Sequence, residues 1–327
     1  MIEFLFPGQG SQKVGMGKAL AEAYPEAKQT FEQADDALGE PLSRLCFEGP
    51  EEQLILTENT QPAILAASIA TYRVLTARGI APSFVAGHSL GEYSANVAAG
   101  TLAFEDALRI VRARGRYMQE AVPPGEGAMA AVLALDPRLI QSICEQVEDQ
   151  MTPLPKTPEA ENFDPKLAVV SAANLNSPMQ TVISGAKGAV ERASELCKQA
   201  GAKRAVMLPV SAPFHCALMQ PAQDALAKDL TQLNFKDSTF PVAANVSASF
   251  VRTGAAARDA LIAQVTGAVR WIECVQLIAS EGATHLVEVG PGKVLSNLVR
   301  QILHKEAPQR VSHVENIASL EATLAAL

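Results

Sequence analysis

The chain has 327 residues, more than one compact domain usually contains, and its 48% hydrophobic and 19% charged residues are typical of a soluble globular protein. No apolar run approaches the roughly 18 residues of a membrane span, and the net charge of -8 comes without a long basic block, so neither a membrane nor a nucleic-acid partner is expected. The five widely spaced cysteines, with no Cys-x-x-Cys pair and no export signal, favour a reducing cytoplasm and no metal site.

Three segments share a pattern of an apolar strand, a glycine-containing loop and a helix. The strands are predicted at residues 4–6, 83–86 and 285–289, and the loops begin at Pro7, Gly87 and Gly290. Strands that pass through tight loops into helices are typical of parallel sheets. The sequence therefore predicts an α/β fold whose large domain, residues 1–126 and 202–327, has a mostly parallel sheet of the α/β-hydrolase-like kind.

The middle of the chain has a different pattern. Strands are predicted at 127–135, 167–173, 179–184 and 203–208, with helices at 137–147 and 186–200. The order β-α-β-β-α-β predicts an inserted ferredoxin-like small domain, assigned to residues 127–201. Between its first helix and second strand, residues 149–166 contain four prolines and several acidic residues, which favours an exposed loop.

The sequence Gly87-His88-Ser89-Leu90-Gly91 fits the Gly-x-Ser-x-Gly pattern of a nucleophile elbow. A strand precedes it and a helix follows it, which is the context that this turn requires. The glycines allow the sharp bend that exposes the hydroxyl, and the Leu90 amide at the helix start can face an oxyanion. We predict that Ser89 is a nucleophile, with a simple helix-capping loop as the alternative.

A serine nucleophile needs a base, and the candidates are His88, His215, His285, His304 and His313. His88 adjoins the serine and should project away from it, while His285 begins an apolar strand. The two C-terminal histidines lie in a polar stretch. Elimination favours His215, in a loop after a strand, with a solvent-facing loop histidine as the alternative. The acidic candidates Asp136 and Asp164 belong to the small domain or its loop, so a Ser-His dyad is predicted.

Arg114 is the most informative charged residue. On the predicted helix 105–121 it falls within an apolar stripe that contains Ala107, Val111 and Met118. A charge on the buried face is unfavourable unless it is paired. Arg114 therefore either meets an internal carboxylate or binds a carboxylate ligand, and the second alternative implies an acidic acyl substrate.

The loop Pro7-Gly8-Gln9-Gly10-Ser11-Gln12 resembles a phosphate loop only superficially. It lacks the Lys-Ser/Thr ending of a Walker sequence and does not complete the dinucleotide fingerprint. In hydrolase-like sites, the second oxyanion amide comes from a loop after another strand. Gln9 is the candidate for that amide.

Together, these motifs closely resemble the malonyl-CoA:acyl carrier protein transacylases of bacterial fatty-acid synthesis, from end to end of the chain. The matching segments are 6–12 (FPGQGSQ), 60–63 (TQPA), 87–94 (GHSLGEYS), 114–119 (RGRYMQ), 127–131 (GAMAA), 176–178 (NSP), 215–219 (HCALM) and 287–292 (VEVGPG). So many ordered motifs make the resemblance specific.

The resemblance implies a role for each matching residue. Ser89 would be acylated, His215 would be its base, and Arg114 would bind the malonyl carboxylate. Gln9 and Leu90 would supply the oxyanion amides. Further roles would follow for Gln264, whose backbone carbonyl would orient the histidine, and for Gln61, a glutamine that lines the site.

Two features depart from the family pattern. The Pro-rich segment 149–166 is longer than the usual connection, and Phe214 stands where many relatives have a small residue. Related malonyl-selective domains often carry this phenylalanine, so the resemblance favours malonyl over methylmalonyl. It also implies malonyl-CoA and acyl carrier protein as partners, no cofactor, and a monomer. A serine esterase or thioesterase and a non-catalytic carrier-protein scaffold are the rival interpretations.

Overall fold

The computed structural model describes residues 1–153, 163–210, 212–303 and 309–327. The chain divides into two compact units, each with its own sheet. The first unit comprises Met1–Arg116, Leu226–Ile262 and Glu273–Leu327, and the second comprises Tyr117–Ala225 and Ala263–Ile272. The predicted mixed α/β class, with a mostly parallel sheet and a smaller second sheet, is confirmed.

The strands are β1 (Ile2–Phe6), β2 (Phe84–Gly87), β3 (Gly127–Leu133), β4 (Val170–Ser177), β5 (Gln180–Ala186), β6 (Arg204–Met207), β7 (Val242–Ala244), β8 (Ser249–Val251), β9 (His285–Val289) and β10 (Arg310–Val314). The first unit holds a six-stranded sheet in the order β10-β9-β1-β2-β7-β8. Adjacent strands in this sheet run parallel to each other, except that β7 and β8 are antiparallel. The carboxyl ends of β1, β2 and β9, where the glycine loops begin, therefore lie at one edge.

The helices of the first unit surround this sheet. They are α1 (Lys18–Ala23), α2 (Pro25–Leu38), α3 (Leu42–Glu48), α4 (Glu51–Leu54), α5 (Thr57–Thr76), α6 (Gly91–Ala98), α7 (Phe104–Glu120), α10 (Gln220–Leu230), α11 (Gly254–Ala263), α12 (Trp271–Ser280), α13 (Val294–Ile302) and α14 (Ile317–Ala326), with α7, α10, α11 and α12 crossing a boundary between the units. Local signals set several ends: α2 begins with Pro25 and ends at left-handed Gly39, and α14 begins with a capping box of Asn316 and Ser319.

The second unit contains β3 to β6, α8 (Pro137–Met151) and α9 (Lys187–Gln199) in the predicted β-α-β-β-α-β order. Its sheet has the strand order β4-β5-β3-β6 with antiparallel neighbours. The side chain of Asp136 accepts a hydrogen bond from the Arg138 amide, and Pro137 occupies the first turn, so α8 begins where the sequence indicates.

Two details of the second unit differ from the expectation. β4 begins at Val170 rather than 167, because Pro165–Ala168 form a short 3-10 helix capped by the Asp164 side chain, and the strand continues to Ser177. The predicted domain boundary between residues 201 and 202 assigns β6 to the large domain. In the structure β6 pairs with β3 and lies in the smaller sheet, so the second compact unit extends beyond that boundary.

The predicted Pro-rich loop at 149–166 is described only at its two ends. Asp149 to Met151 belong to α8, and Asp164 begins the 3-10 helix. Residues 154–162 lie outside the described part of the chain. All five cysteines are buried and none forms a disulfide. Among the described residues, no helix has the length and apolar character needed to cross a membrane.

A buried carboxyl group lies in the central strand of the parallel sheet. Glu3 pairs in register with Phe84 on β2 and Leu286 on β9, and its side chain is fully buried. Burial raises the pKa of Glu3 from 4.5 to about 8, although the Phe84 backbone amide and the N-terminal ammonium act in the opposite direction. Glu3 is therefore neutral in the folded protein at pH values where the unfolded chain carries its charge.

This shift predicts a loss of stability with rising pH. Above pH 4.5 the unfolded state ionises Glu3 while the folded state does not until about pH 8, so the stability contribution is lost across that window. Glu3→Gln removes the effect, and the free energy of unfolding of the variant relative to wild type should rise by up to about 1.4 kcal/mol per pH unit. Urea unfolding of wild type and Glu3→Gln at pH 5.5 and 7.5 measures this change, and Glu22→Gln, at an exposed position, is the control. If the stability of Glu3→Gln relative to wild type is the same at both pH values, the prediction is wrong.

Candidate active site

Ser89 lies in a tight turn between β2 and α6. Its φ of 52° is in the left-handed region, as the nucleophile-elbow pattern requires. A Cβ on Gly87 would lie 1.9 Å from the carbonyl group of Gly91, and a Cβ on Gly91 would lie 2.0 Å from the Phe6 carbonyl oxygen. The turn can close only because both positions lack a side chain.

A side chain from the neighbouring strand also holds the turn. Asn245 follows β7 and is fully buried. Its Oδ1 accepts a hydrogen bond from the Ser89 amide at 2.7 Å, and its Nδ2 donates to the Gly87 carbonyl at 2.8 Å. The Asn245 backbone amide in turn donates to Oε2 of buried Glu92 at 2.9 Å. The Ser89 backbone is thus fixed from both sides.

Arg114 projects from α7 toward the same turn and is only 2% exposed. Its two terminal nitrogens donate to Gln61 Oε1 at 3.0 Å and to Ser89 Oγ at 3.2 Å. The close packing of α7 against the start of α5 allows this reach, because a Cβ on Gly115 would lie 2.7 Å from the Thr57 carbonyl oxygen. The predicted burial of Arg114 is confirmed.

The charge of Arg114 lies in a desolvated environment. Burial lowers the pKa of the guanidinium, while Tyr93 and Glu92 act to raise it. The guanidinium carbon lies 5.5 Å from the centre of the Tyr93 ring, and burial raises the pKa of that phenol to about 12. A cation so placed attracts an anionic group that arrives next to Ser89.

The loop after β1 runs alongside the serine turn. The His88 amide donates to the Phe6 carbonyl at 3.0 Å, and a Cβ on Gly8 would lie 2.4 Å from the His88 carbonyl oxygen. Gln9 is exposed, and its Nε2 donates to Thr57 Oγ1 at 3.3 Å. Thr57 and Gln61 are one turn apart on α5, so this helix contacts both the Gln9 side chain and Arg114.

In the second unit, His215 and Gln264 form a buried pair. His215 is 4% exposed, Gln264 is fully buried, and the His215 Nδ1 lies 2.9 Å from the Gln264 backbone carbonyl oxygen. Since a carbonyl oxygen only accepts, Nδ1 carries the proton and Nε2 keeps its lone pair. His215 also has a positive φ, of 60°. The contact has the geometry that the resemblance implied for a carbonyl-oriented histidine.

Phe214 packs on the apolar face of the smaller sheet. It is partly buried against a cluster of Met129, Ala131, Ala173 and Val182. The loop that carries it is held close to β3, because a Cβ on Gly127 would lie 2.4 Å from the Pro213 ring. Phe214 and His215 therefore lie on one constrained segment of the second unit.

The remaining histidines have other surroundings. His285 is buried at the start of β9 with its Nε2 3.1 Å from Ser312 Oγ, as expected for a structural histidine. His313 lies on β10, where burial lowers its pKa. His88 lies within the serine turn, and His304 is outside the described residues.

Each unit thus assembles part of the predicted site. The first unit brings Ser89, Arg114 and Gln61 into hydrogen-bonding contact. The second unit joins His215 to Gln264. Sequence reasoning did not identify Asn245. The available signal was its position directly after a short apolar strand, the part of a parallel sheet where functional side chains collect.

Comparisons with known proteins find similar chains over nearly the whole length of this one. The acyl transferase domain model matches residues 3–322. The malonyl CoA-acyl carrier protein transacylase of Escherichia coli (strain K12) is 50% identical over 301 residues, which cover 92% of each protein. The Bacillus subtilis (strain 168) protein of the same name is 47% identical over 323 residues, 99% of this chain and 97% of that one.

A solved malonyl-transacylase, in complex with its type II PKS acyl-carrier protein, superposes with a TM-score of 0.90 and 45% identity, covering 100% of this chain and 99% of that one. The fold and the serine site place the chain among the acyltransferases. It belongs to the acyl transferase family, in the branch of the malonyl CoA-acyl carrier protein transacylases, and the resemblance seen in the sequence motifs is confirmed.

The packing of the serine turn predicts that the effect of an added methyl group on stability depends strongly on its position. Gly87→Ala should lower the free energy of unfolding by about 1–3 kcal/mol or more, because its Cβ meets backbone atoms that cannot move aside. In Gly188→Ala, the matched control within α9, the Cβ meets nothing within 4 Å, so stability should stay the same or rise. Chemical unfolding of both variants tests this, and equal stabilities would refute the steric argument.

Proposed function

We propose that the protein transfers the malonyl group of malonyl-CoA to the phosphopantetheine thiol of acyl carrier protein, by a ping-pong mechanism through an ester on Ser89. The observation that carries the proposal is the buried Arg114 guanidinium, which hydrogen-bonds both Ser89 Oγ and Gln61. Burying a cation next to the nucleophile is unfavourable, and in a serine enzyme without a preference for acidic acyl groups it would not contribute to substrate binding. The names of the relatives support the same substrate and partner.

In the first half-reaction, His215 Nε2 accepts the proton of Ser89 Oγ, and the oxygen attacks the malonyl thioester carbonyl. The backbone amides of Gln9 and Leu90 stabilise the tetrahedral oxyanion. As the carbon–sulfur bond breaks, His215 returns the proton to the coenzyme A sulfur. In the second half-reaction, the carrier-protein thiol attacks the ester and His215 again transfers the proton, which regenerates Ser89.

The hydrogen bond from His215 Nδ1 to the Gln264 carbonyl supports this assignment of the base. It fixes the tautomer in which Nε2 can accept a proton, and it gives the proton on Nδ1 a partner when the ring becomes positively charged. A backbone carbonyl therefore does the orienting work that an aspartate performs in a triad. The proposed mechanism therefore keeps the Ser-His dyad that the sequence predicts.

Selectivity comes from Arg114. A malonyl carboxylate pairs with the buried guanidinium, with Gln61 holding the side chain in place, whereas an acetyl group brings no charge to interact with it. Phe214 limits room for an α-methyl branch, which favours malonyl over methylmalonyl. A serine esterase or thioesterase would share the turn at Ser89 but gain nothing from such a cation.

The remaining parts of the proposal concern context. The chemistry needs no metal or redox cofactor, since the thioester is already activated. We propose that the protein is a cytoplasmic monomer that supplies fatty-acid or polyketide synthesis. We also propose that the larger unit is α/β-hydrolase-like and the smaller one ferredoxin-like. The mostly parallel sheet with Ser89 in a turn after β2 supports the first assignment, and the antiparallel order β4-β5-β3-β6 supports the second.

Loss of the hydroxyl in Ser89→Ala should abolish the malonyl-enzyme ester, because the Ser89 oxygen is the atom that forms the ester bond. Intact-mass spectrometry after mixing with malonyl-CoA measures the adduct directly. Subsequent addition of carrier protein should remove the label from wild type. Rapid loss to water would instead indicate a hydrolase, and a wild-type protein that never gains the malonyl mass would exclude both.

Arg114→Ala should reverse the substrate preference. Malonyl transfer should fall steeply and acetyl transfer should rise, shifting the malonyl-to-acetyl ratio of kcat/KM by at least about tenfold, since a charge-assisted bidentate pair contributes roughly 1.5–3 kcal/mol. Arg109→Ala is the matched control, because Arg109 is an exposed arginine on the same helix. If malonyl and acetyl rates fall together with thermal stability, Arg114 serves an internal ion pair instead.

A further inference from the structure

We infer that Asn245 is a positioning residue for the acyl-accepting serine: its side-chain amide completes the parallel sheet at the turn and thereby fixes the orientation of Ser89. The inference rests on the proposed function, which gives Ser89 the acyl-acceptor role. It concerns a residue that belongs to none of the motifs behind the family resemblance.

The register of the sheet shows what the Asn245 side chain replaces. β2 pairs with β7 through Val85 opposite Val242 and Ala86 opposite Ala243. Continued by two residues, this register places Asn245 opposite His88. In a parallel ladder, one residue bonds to the carbonyl before its partner and to the N–H after it. Those two groups are the Gly87 carbonyl and the Ser89 amide.

The Asn245 side chain makes both of these bonds itself. Nδ2 donates to the Gly87 carbonyl at 2.8 Å, and Oδ1 accepts from the Ser89 amide at 2.7 Å. Its own backbone amide points elsewhere and donates to Glu92 Oε2 at 2.9 Å. A primary amide carries the same donor and acceptor as a peptide unit. The side chain therefore extends the ladder by one step after the β7 backbone has left it.

This extension acts at a position with a strained backbone conformation. Ser89 has a φ of 52°, a conformation that non-glycine residues adopt only when their surroundings enforce it. The Asn245–Ser89 bond holds the peptide that sets this φ, and so it sets the direction of Oγ and of the Leu90 amide that follows. Glu92, fully buried on α6, fixes the Asn245 backbone from the other side of the turn.

Asn245→Ala removes both bonds and should slow single-turnover acylation by malonyl-CoA by at least about tenfold while KM changes little, because a misplaced nucleophile loses rate rather than affinity. Asn96→Ala is the matched control: Asn96 is equally buried, and its Nδ2 donates to the Glu92 carbonyl on the same helix. It should lower the melting temperature without slowing acylation. Equal acylation by Asn245→Ala and wild type would overturn the inference.

Asn245→Asp separates positioning from a general loss of stability. An ionised carboxylate accepts from the Ser89 amide but cannot donate to the Gly87 carbonyl, whereas a protonated carboxyl can do both. Burial and the Glu92 carboxylate raise the pKa of the introduced group. The acylation rate of the variant divided by that of wild type should therefore rise several-fold as the pH falls from 8 to 6. A ratio that stays at one throughout this pH range would overturn the inference.

The two proposals fail in different ways. If wild type forms no malonyl ester in the same assay, the proposed function is wrong. If wild type is acylated normally and both Asn245 variants match it, the function stands and the positioning role of Asn245 is wrong. If Asn245→Ala and Asn96→Ala lose stability and rate in parallel, Asn245 has only a structural role.

Discussion

The turn from β2 into α6 is the constraint on which the rest of the site depends. A serine at a φ of 52° can be held there only if the flanking backbone packs without side chains and if the freed peptide groups find partners. Gly87 and Gly91 satisfy the first condition, and Asn245 satisfies the second. The result is a hydroxyl whose direction is set by the backbones of β1 and of the start of α6 and by the Asn245 side chain.

In the first unit, the buried Arg114 guanidinium lies next to this turn. Arg114 reaches Ser89 only because Gly115 lets α7 approach the beginning of α5, where Gln61 and Thr57 lie. The same helix α5 therefore contacts the guanidinium and, through Thr57, the side chain of Gln9. The Arg114 guanidinium and the Gln9 side chain are thus both held by one helix, and a helix fixes the groups it contacts better than a mobile loop does.

The two compact units contribute different chemistry. The first places Ser89, the proposed nucleophile, next to the Arg114 guanidinium, and the second holds His215, the proposed base, against the Gln264 backbone carbonyl. Ser89 and His215, the two residues proposed to exchange a proton, both have positive φ values, as do Ala134 and Ala248 elsewhere in the chain. Strain of this kind persists only where surrounding hydrogen bonds enforce it, and Asn245 does so at Ser89.

The sequence alone determined much of this protein. Strand–glycine–helix patterns predicted the parallel sheet, the Gly-x-Ser-x-Gly turn indicated Ser89, and the 3.6-residue period of α7 placed Arg114 on the buried face, because these signals are local. Only the tertiary structure decided that Gln61 supports Arg114 and that Asn245 supports Ser89. Asn245 and Ser89 are 156 positions apart, and their contact follows from the register of two strands, which no local pattern encodes.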